Sequence, residues 1–419
     1  MEEYGKILLI AMPLFLLAVV LEKIYGLYKK NDTMPLVDTI SSLSSGMSNV
    51  VKDVLGLTIS IFSYEWLVEH IAIFEMKENW LMYVYAFIVI DFYGYWSHRF
   101  DHKINFFWNE HIVHHSSEEF NLACALRQPV SGIVRFFGFL LIPAALVGIP
   151  PIVVATILPL HLFMQFWYHT RHIKKLGFLE KILVTPSHHR VHHAMNPEYL
   201  DKNLSQIFIV WDKIFGTFKE ESDDIPPVYG VTRPSSTWNP FKINFQHLWL
   251  LITDAWRAPK WVDKLTIWFK PTGWRPEGFE EKYPVKKIDN VYQFEKYKTN
   301  VEGGLLYWSI FQLFATLAFI SHLFYNIGSI GMPAIFYYGF FIFATIYVFT
   351  DLMDRNKWNW VFELVRLALA VVSVFLFDSW FGAPIWGMVL VLGYLFISFI
   401  VSLYYSNESM FKGQKLSYE

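Results

Sequence analysis

Nine apolar runs punctuate this chain of 419 residues, near 7–27, 51–73, 80–97, 130–148, 151–169, 304–324, 332–350, 358–377 and 384–404. Each approaches the roughly twenty residues that a helix needs to cross a bilayer core. Lipid offers no hydrogen-bond partner to a peptide group, so such a run is compatible with a helix and with little else. The expectation is an all-α, polytopic integral membrane protein of about nine transmembrane helices. Charged residues make up 17%, below the roughly 25% of globular domains, which agrees. The first run is too long, and its end too poor in small residues, for a cleaved signal peptide. Between the fourth and fifth runs, Gly148-Ile149-Pro150-Pro151 leaves room only for a turn.

Lysine and arginine set the expected orientation. Loops 74–79, 148–150, 325–331 and 378–383 together hold one basic residue, Lys77. The opposite side holds Lys29, Lys30, segments 98–129 and 170–303, Arg355, Lys357, Lys412 and Lys415. That side is expected in the cytoplasm, and the N-terminus, with Glu2 and Glu3, on the other. Four regions are expected: N-terminal spans at 1–77, a histidine-rich core at 78–235, interfacial helices at 236–303, and a four-span bundle with a tail at 304–419. The third region carries Trp238, Trp249, Trp256, Trp261, Trp268 and Trp274 among lysines and arginines, a mixture that suits the membrane interface. A small soluble subdomain with a tryptophan-rich core is the alternative. Asp351 and Asp354, at a span boundary, are expected to be solvated. A net charge of −2 without a basic stripe excludes nucleic acid as the partner. The single cysteine, Cys124, excludes an internal disulfide and any cysteine-based zinc or iron–sulfur site.

Twelve of the fifteen histidines fall between His98 and His193. They are patterned as His98 and His102, then His111, His114 and His115, then His189, His192 and His193. Positions i, i+3 and i+4 share one helical face, so these sets present eight convergent imidazoles. Neutral imidazole suits iron, zinc, copper and nickel, and one structural zinc takes only four ligands. Eight or more therefore point to two metal ions sharing one cage. The bland reading, polar histidines at a membrane surface, suits a lone HxxxH better than this ordered series. His169, directly after the fifth run, joins the expected ligands. His161, His172 and His188 are weaker candidates, and His70, His247 and His322 read as structural.

Ligating histidines need acceptors for the second ring N–H. Asp91, seven residues before His98, is the leading candidate; Glu118, Glu119, Asn121, Arg127, Asp201 and Asn203 follow. Imidazole-bound iron can activate O2 beside an unreactive C–H bond when electrons arrive and water is excluded. A site among apolar spans then implies a lipid chain entering from the bilayer, with lipid and O2 as the reactants.

These residues resemble the fatty acid hydroxylase superfamily, which includes sterol desaturases and hydroxylases. The closer likeness is to its alkylglycerol monooxygenase branch. It rests on 91–99 (DFYGYWSHR), 114–128 (HHSSEEFNLACALRQ), 165–169 (QFWYH), 185–193 (TPSHHRVHH), 201–203 (DKN), 209–218 (IVWDKIFGTF) and 228–232 (VYGVT). The likeness is good over about 78–275. It implies a di-iron enzyme that hydroxylates the ether-linked carbon of an alkylglycerol with O2 and tetrahydrobiopterin, releasing a fatty aldehyde and a glycerol derivative. It implies metal ligation by His98, His102, His111, His114, His115, His169, His189, His192 and His193, with Asp91, Asn121 and Arg127 in the catalytic set. The family carries a glutamate after the second histidine of HxxxH; here it is Lys103, whose like charge beside a metal cage should turn it outward. Two other readings stand beside this one. A fatty acid, sterol or carotenoid hydroxylase or desaturase would draw electrons from a separate donor protein. A non-enzymatic metal carrier would place ligands nearer the midplane. The membrane is the endoplasmic reticulum in a eukaryote and the inner membrane in a bacterium.

Overall fold

The computed structural model describes residues 2–61 and 63–415, with side chains to Glu408. Lys412 and Lys415, two of the expected inner-face cations, have side chains outside the described residues. The N-terminal part comprises α1 (Glu2–Tyr28), α2 (Leu36–Val54), a two-residue strand β1 (Ile59–Ser60) and α3 (Tyr64–Ile71). The central part runs through α4 (Trp80–Lys103), α5 (Asn105–His115), α6 (Leu122–Ala125), β2 (Val134–Arg135), α7 (Ile142–Leu146), α8 (Pro151–Phe163), α9 (Pro186–His192) and α10 (Val210–Phe215). Then come α11 (Pro240–Arg257), α12 (Trp261–Thr266) and α13 (Phe279–Lys282), followed by α14 (Gly303–Ile330), α15 (Ala334–Met353), α16 (Asn359–Phe377) and α17 (Ile385–Lys415).

Among the described residues, five helices are long and apolar enough to cross a membrane: α1, α14, α15, α16 and α17. The other four expected spans take different forms. The 51–73 run breaks because Lys52 is buried and donates to the carbonyls of Pro129 and Gly132, and Gly56 turns the chain at φ +67°. The chain then goes extended, and β1 pairs in parallel with β2, which also interrupts the 130–148 run. In the fifth run α8 has 13 residues. The third run is helical, but α4 carries the buried polar side chains of Asp91, His98 and His102. Apolar composition alone does not separate a lipid-facing span from a helix packed inside a protein core.

α4 starts where the Asn79 side chain accepts from the Met82 amide, satisfying one orphan donor of the first turn. Met82, Ala86, Val89 and Ile90 pack against Leu141 and Ala144 near α7 and Val153, Val154 and Ile157 of α8. A second core joins α2, through Ile40, Met47, Val51 and Val54, to α14, α15 and α16. The N-terminal helices are thus continuous with the C-terminal bundle in space. Inside that bundle Arg366 is fully buried. It donates to Glu363 at 2.5 Å, Tyr394 at 2.9 Å and Ser398 at 2.7 Å. Ionic side chains at such depth must be paired. Asp351 and Asp354, expected to be solvated, bind Lys242 of α11 at 2.5 and 3.2 Å, Asp351 fully buried and Asp354 partly so. On α11, α12 and the turn that follows, Trp249, Trp256, Trp261, Leu265 and Phe269 are exposed beside Arg257, Lys260 and Lys264, a surface that suits the interface. Trp238, Trp268 and Trp274 pack inward against apolar clusters.

Candidate metal centre

The four histidine-bearing segments meet on the inner faces of α4, α5 and α9 and in the turn after α8. The ring nitrogens form two groups, each with its atoms within 4.8 Å of one another: His98, His102, His111, His115 and His192, and His114, His169, His189 and His193. The groups abut, with the His115 and His193 rings stacked at 4.3 Å. All nine expected ligands are brought together. His161, His172 and His188 stand in neither group, nor do His70, His247 and His322, expected as structural.

The hydrogen bonds identify which nitrogen faces inward. Nδ1 of His98 donates to the Leu204 carbonyl at 2.7 Å, of His114 to Arg127 at 3.2 Å, of His169 to Gln165 at 3.0 Å, and of His192 to Lys202 at 3.1 Å. His102 Nδ1 donates to the Asp201 carboxylate at 3.3 Å. A neutral imidazole that donates from Nδ1 keeps only a lone pair on Nε2. Those Nε2 atoms converge: His114 and His169 are 3.3 Å apart, both as lone pairs, and Nε2 of His102 and of His192 has no protein partner among the described residues. Facing lone pairs repel unless a cation lies between them. Ligands at right angles around an ion at about 2.1 Å sit about 3 Å apart, and the His98–His111 and His189–His193 Nε2 distances are 2.8 and 3.0 Å. The donor set therefore fits metal ions.

Burial is the main reason every one of the nine imidazoles titrates below its usual range, and neighbouring imidazoles push most of them further down. His114 is brought to about 4. At neutral pH all nine are neutral, the form that binds metal. The orienting loop is unusual in its backbone. Asp201 and Asn203 both have left-handed φ, +56° and +53°, which Asn and Asp tolerate better than most residues. This twist lets Asp201, Lys202 and Leu204 each hold a different histidine. Asp212 fixes the loop by accepting from the Leu204 and Ser205 amides at 2.8 and 2.9 Å.

The three expected catalytic residues sit behind the cage. Asp91, expected to hold a ligating histidine, instead accepts from His161 at 2.8 Å, from the Ile207 and Phe208 amides and from Trp211. Seven residues of helix place it about 10 Å along the axis from His98, beyond hydrogen-bond reach. Asn121 caps α6 and donates to the Thr33 carbonyl at 2.8 Å. Arg127 binds Asp38 at 2.9 Å and Ser116 at 3.0 Å, while its carbonyl takes His114. Lys103 is half exposed, and its charge meets Asp201 at 2.5 Å. Asn203 holds the His188 carbonyl; Glu118 and Glu119 bind Tyr297, Arg171 and Lys296.

A cavity of about 610 Å³ opens onto the cage. His98, His111, His114, His169 and His189 face it, and α1, α8 and α14 line it with side chains such as Leu8, Phe15, Phe163 and Leu317. Sequence reasoning missed two further lining residues, Asp101 and Gln206, the latter accepting from Gln165 at 3.2 Å. The signal for Asp101 was present, three residues after His98.

Residues 83–217 match the family model for fatty acid hydroxylases. The chain is 34% identical to human alkylglycerol monooxygenase over 373 residues, 87% of this chain and 82% of that protein. It is 37% identical to the zebrafish (Danio rerio) alkylglycerol monooxygenase over 66% of this chain and 61% of that one. Ornithine lipid hydroxylase from Rhizobium tropici is more distant, 25% identical over 48% of this chain and 56% of its own length. No solved structure matches.

Proposed function

This chain belongs to the alkylglycerol monooxygenase family, and from that premise we propose that it oxidises the ether-bearing carbon of O-alkylglycerol lipids at a di-iron centre. It is a lipid monooxygenase; the ether substrate, the two irons and the ligand assignment are the proposal. The observation that carries it is the apolar cavity ending on five inward-facing imidazoles. A long alkyl chain fills such a space, and its polar end reaches the cage.

The nine histidines would hold iron, which would supply O2 activation and C–H oxidation. The protein contributes position and dryness. Leu8, Phe15, Phe163 and Leu317 exclude water and hold the chain. Leu204, Lys202, Asp201, Arg127 and Gln165 fix the rings with Nε2 inward. Asp91, Asn121 and Arg127 act as positioning residues, tying the histidine-bearing segments to their neighbours. Hydroxylation places one oxygen atom of O2 on the alkyl carbon. The other leaves as water, with two electrons and two protons from the donor. The hemiacetal then collapses to a fatty aldehyde and a glycerol.

We assign 78–235 as the catalytic unit, 236–303 as the interfacial layer, and 1–77 with 304–419 as its membrane frame. The cage faces the cytoplasm in this assignment, in the endoplasmic reticulum of a eukaryote or the inner membrane of a bacterium. Tetrahydrobiopterin is the reductant that the family suggests. Lys103, engaged with Asp201, offers only donors where a pterin's N–H groups want an acceptor, which favours a separate electron-donor protein as the second source. Purified protein given 1-O-hexadecylglycerol and O2, with tetrahydrobiopterin or with a ferredoxin system, should release hexadecanal. Hydroxylated acyl chains or sterols with no aldehyde from the ether would overturn the proposal in favour of a lipid hydroxylase of another class.

A further inference from the structure

Among the described residues, the carboxyl groups lining the cavity come from α2, α4 and α5: Asp53, Asp101 and Glu110. Asp53 is already engaged by Asn49 at 3.2 Å, Thr58 at 3.2 Å and Lys52 at 3.4 Å. Asp101 and Glu110 differ. Among the described residues no hydrogen bond or ion pair reaches either carboxyl, and both residues are partly exposed. Glu110 lies over Gly132, where an added Cβ would come within 2.9 Å of its Oε2. Lys52 and Arg135 act on Glu110 only at longer range. Carboxyls without protein partners keep free hydrogen-bonding capacity, so a cavity lined by two of them suits a ligand that completes their hydrogen bonds.

Their place relative to the cage suggests which ligand. Asp101 is three residues after His98 and Glu110 four before His114, so each lies one helical turn from an inward-facing imidazole. One turn is about 5.4 Å. In an alkylglycerol, the hydroxyl on the second glycerol carbon lies four bonds of roughly 1.5 Å from the ether-bearing alkyl carbon, on the order of 5 Å when extended. An alkyl chain lying along α1, α8 and α14, with its first carbon at the imidazoles, would present the glycerol end to these two carboxyls.

We propose that Asp101 and Glu110 form the headgroup subsite, binding the free vicinal hydroxyls of a glycerol ether and setting which carbon meets the metal centre. This rests on the ether-lipid reading above and adds to it the recognition of the diol. Both residues touch substrate. Neither sits where it would orient a metal ligand, since the Nδ1 atoms of His98 and His114 are already held by Leu204 and Arg127.

The test compares two ligands that differ only in the diol: 1-O-hexadecylglycerol and hexadecyl propyl ether. Binding to zinc-loaded full-length protein in detergent is read by equilibrium partition of the tritiated lipids, and turnover is read separately in the iron form. Hydrogen bonds to such groups are worth roughly 2- to 10-fold each in affinity. The native protein should prefer the diol by at least about tenfold. Asp101→Ala with Glu110→Ala should reduce that preference to within about threefold, chiefly by weakening the diol. Asp101→Asn with Glu110→Gln, which retain acceptor oxygens, should restore part of it. Metal content measured on each variant separates this from damage to the cage. Equal binding of the two ligands by the native protein, or an unchanged preference in a metal-loaded double alanine variant, would overturn the subsite. If the native protein prefers the diol yet releases no aldehyde, the subsite stands and the ether-cleavage reading fails instead.

Discussion

Removing the Asp201 carboxylate should loosen one half of the cage and leave the other intact. Asp201 is the only acidic side chain bonded to any of the nine imidazoles among the described residues; the other Nδ1 acceptors are backbone carbonyls. Burial alone would raise its pKa, but the bonds from His102 and Lys103 outweigh that and bring it to about 2. It is therefore an anion at any working pH. Partners of this kind tune affinity by roughly 10- to 100-fold, or about 1.4–2.7 kcal/mol. The substitution needs care, because Asp201 has φ +56° and an alanine there would add about 1–2 kcal/mol of backbone strain. Asp201→Gly removes the acceptor without that strain. Asp201→Asn keeps an acceptor oxygen for His102, so its effect should be much smaller. In a competition titration with a chelator, the glycine variant should release one ion at about 10- to 100-fold lower chelator and retain the second as the native protein does. Loss of both ions together, or no change in either, would refute the assignment of Asp201 to the His98–His102–His111–His115–His192 group.

Alanine in place of any of the nine caged histidines should lower aldehyde release by at least about 100-fold, because paired ions act as one unit, while His322→Ala should stay within about threefold. Acid should destabilise the apoprotein: unfolded imidazoles take up protons below about pH 6.5, whereas burial holds the caged ones neutral, with His114 reaching only about 4. Stability must therefore fall as pH drops below 6.5; a melting temperature flat from pH 7.5 to 5 would contradict this. Cysteines placed at Glu2 and at Ser222 should label from opposite sides of the membrane, and labelling of both from one side would overturn the proposed topology. Glu363→Leu should cost about 3–5 kcal/mol by leaving Arg366 charged and buried without its counter-ion, read as a loss of detergent-solubilised folded protein that Glu363→Leu with Arg366→Leu restores.

Helical spacing was enough to group the cage, because i, i+3 and i+4 positions share a face whatever surrounds them. His169, outside any such set, was legible only from its place at the end of an apolar run. The long terminal helices were equally visible, since their hydropathy is uninterrupted. Tertiary structure decided the rest. Whether the 51–73 and 130–148 runs become spans depends on Lys52 finding the Pro129 and Gly132 carbonyls and on β1 finding β2, partners that local composition does not encode. Asp91 shares a face with His98, yet its carboxylate is used by His161 and by the 207–211 segment, because distance along the axis and the position of a remote loop settle hydrogen bonds. The acceptors that turn Nε2 inward on five of the histidines lie up to 106 residues from them. Three of them, at Asp201, Lys202 and Leu204, arise from a loop whose left-handed residues look unremarkable in one dimension. A sequence determines which side chains can share a face; only the packed chain determines what that face meets.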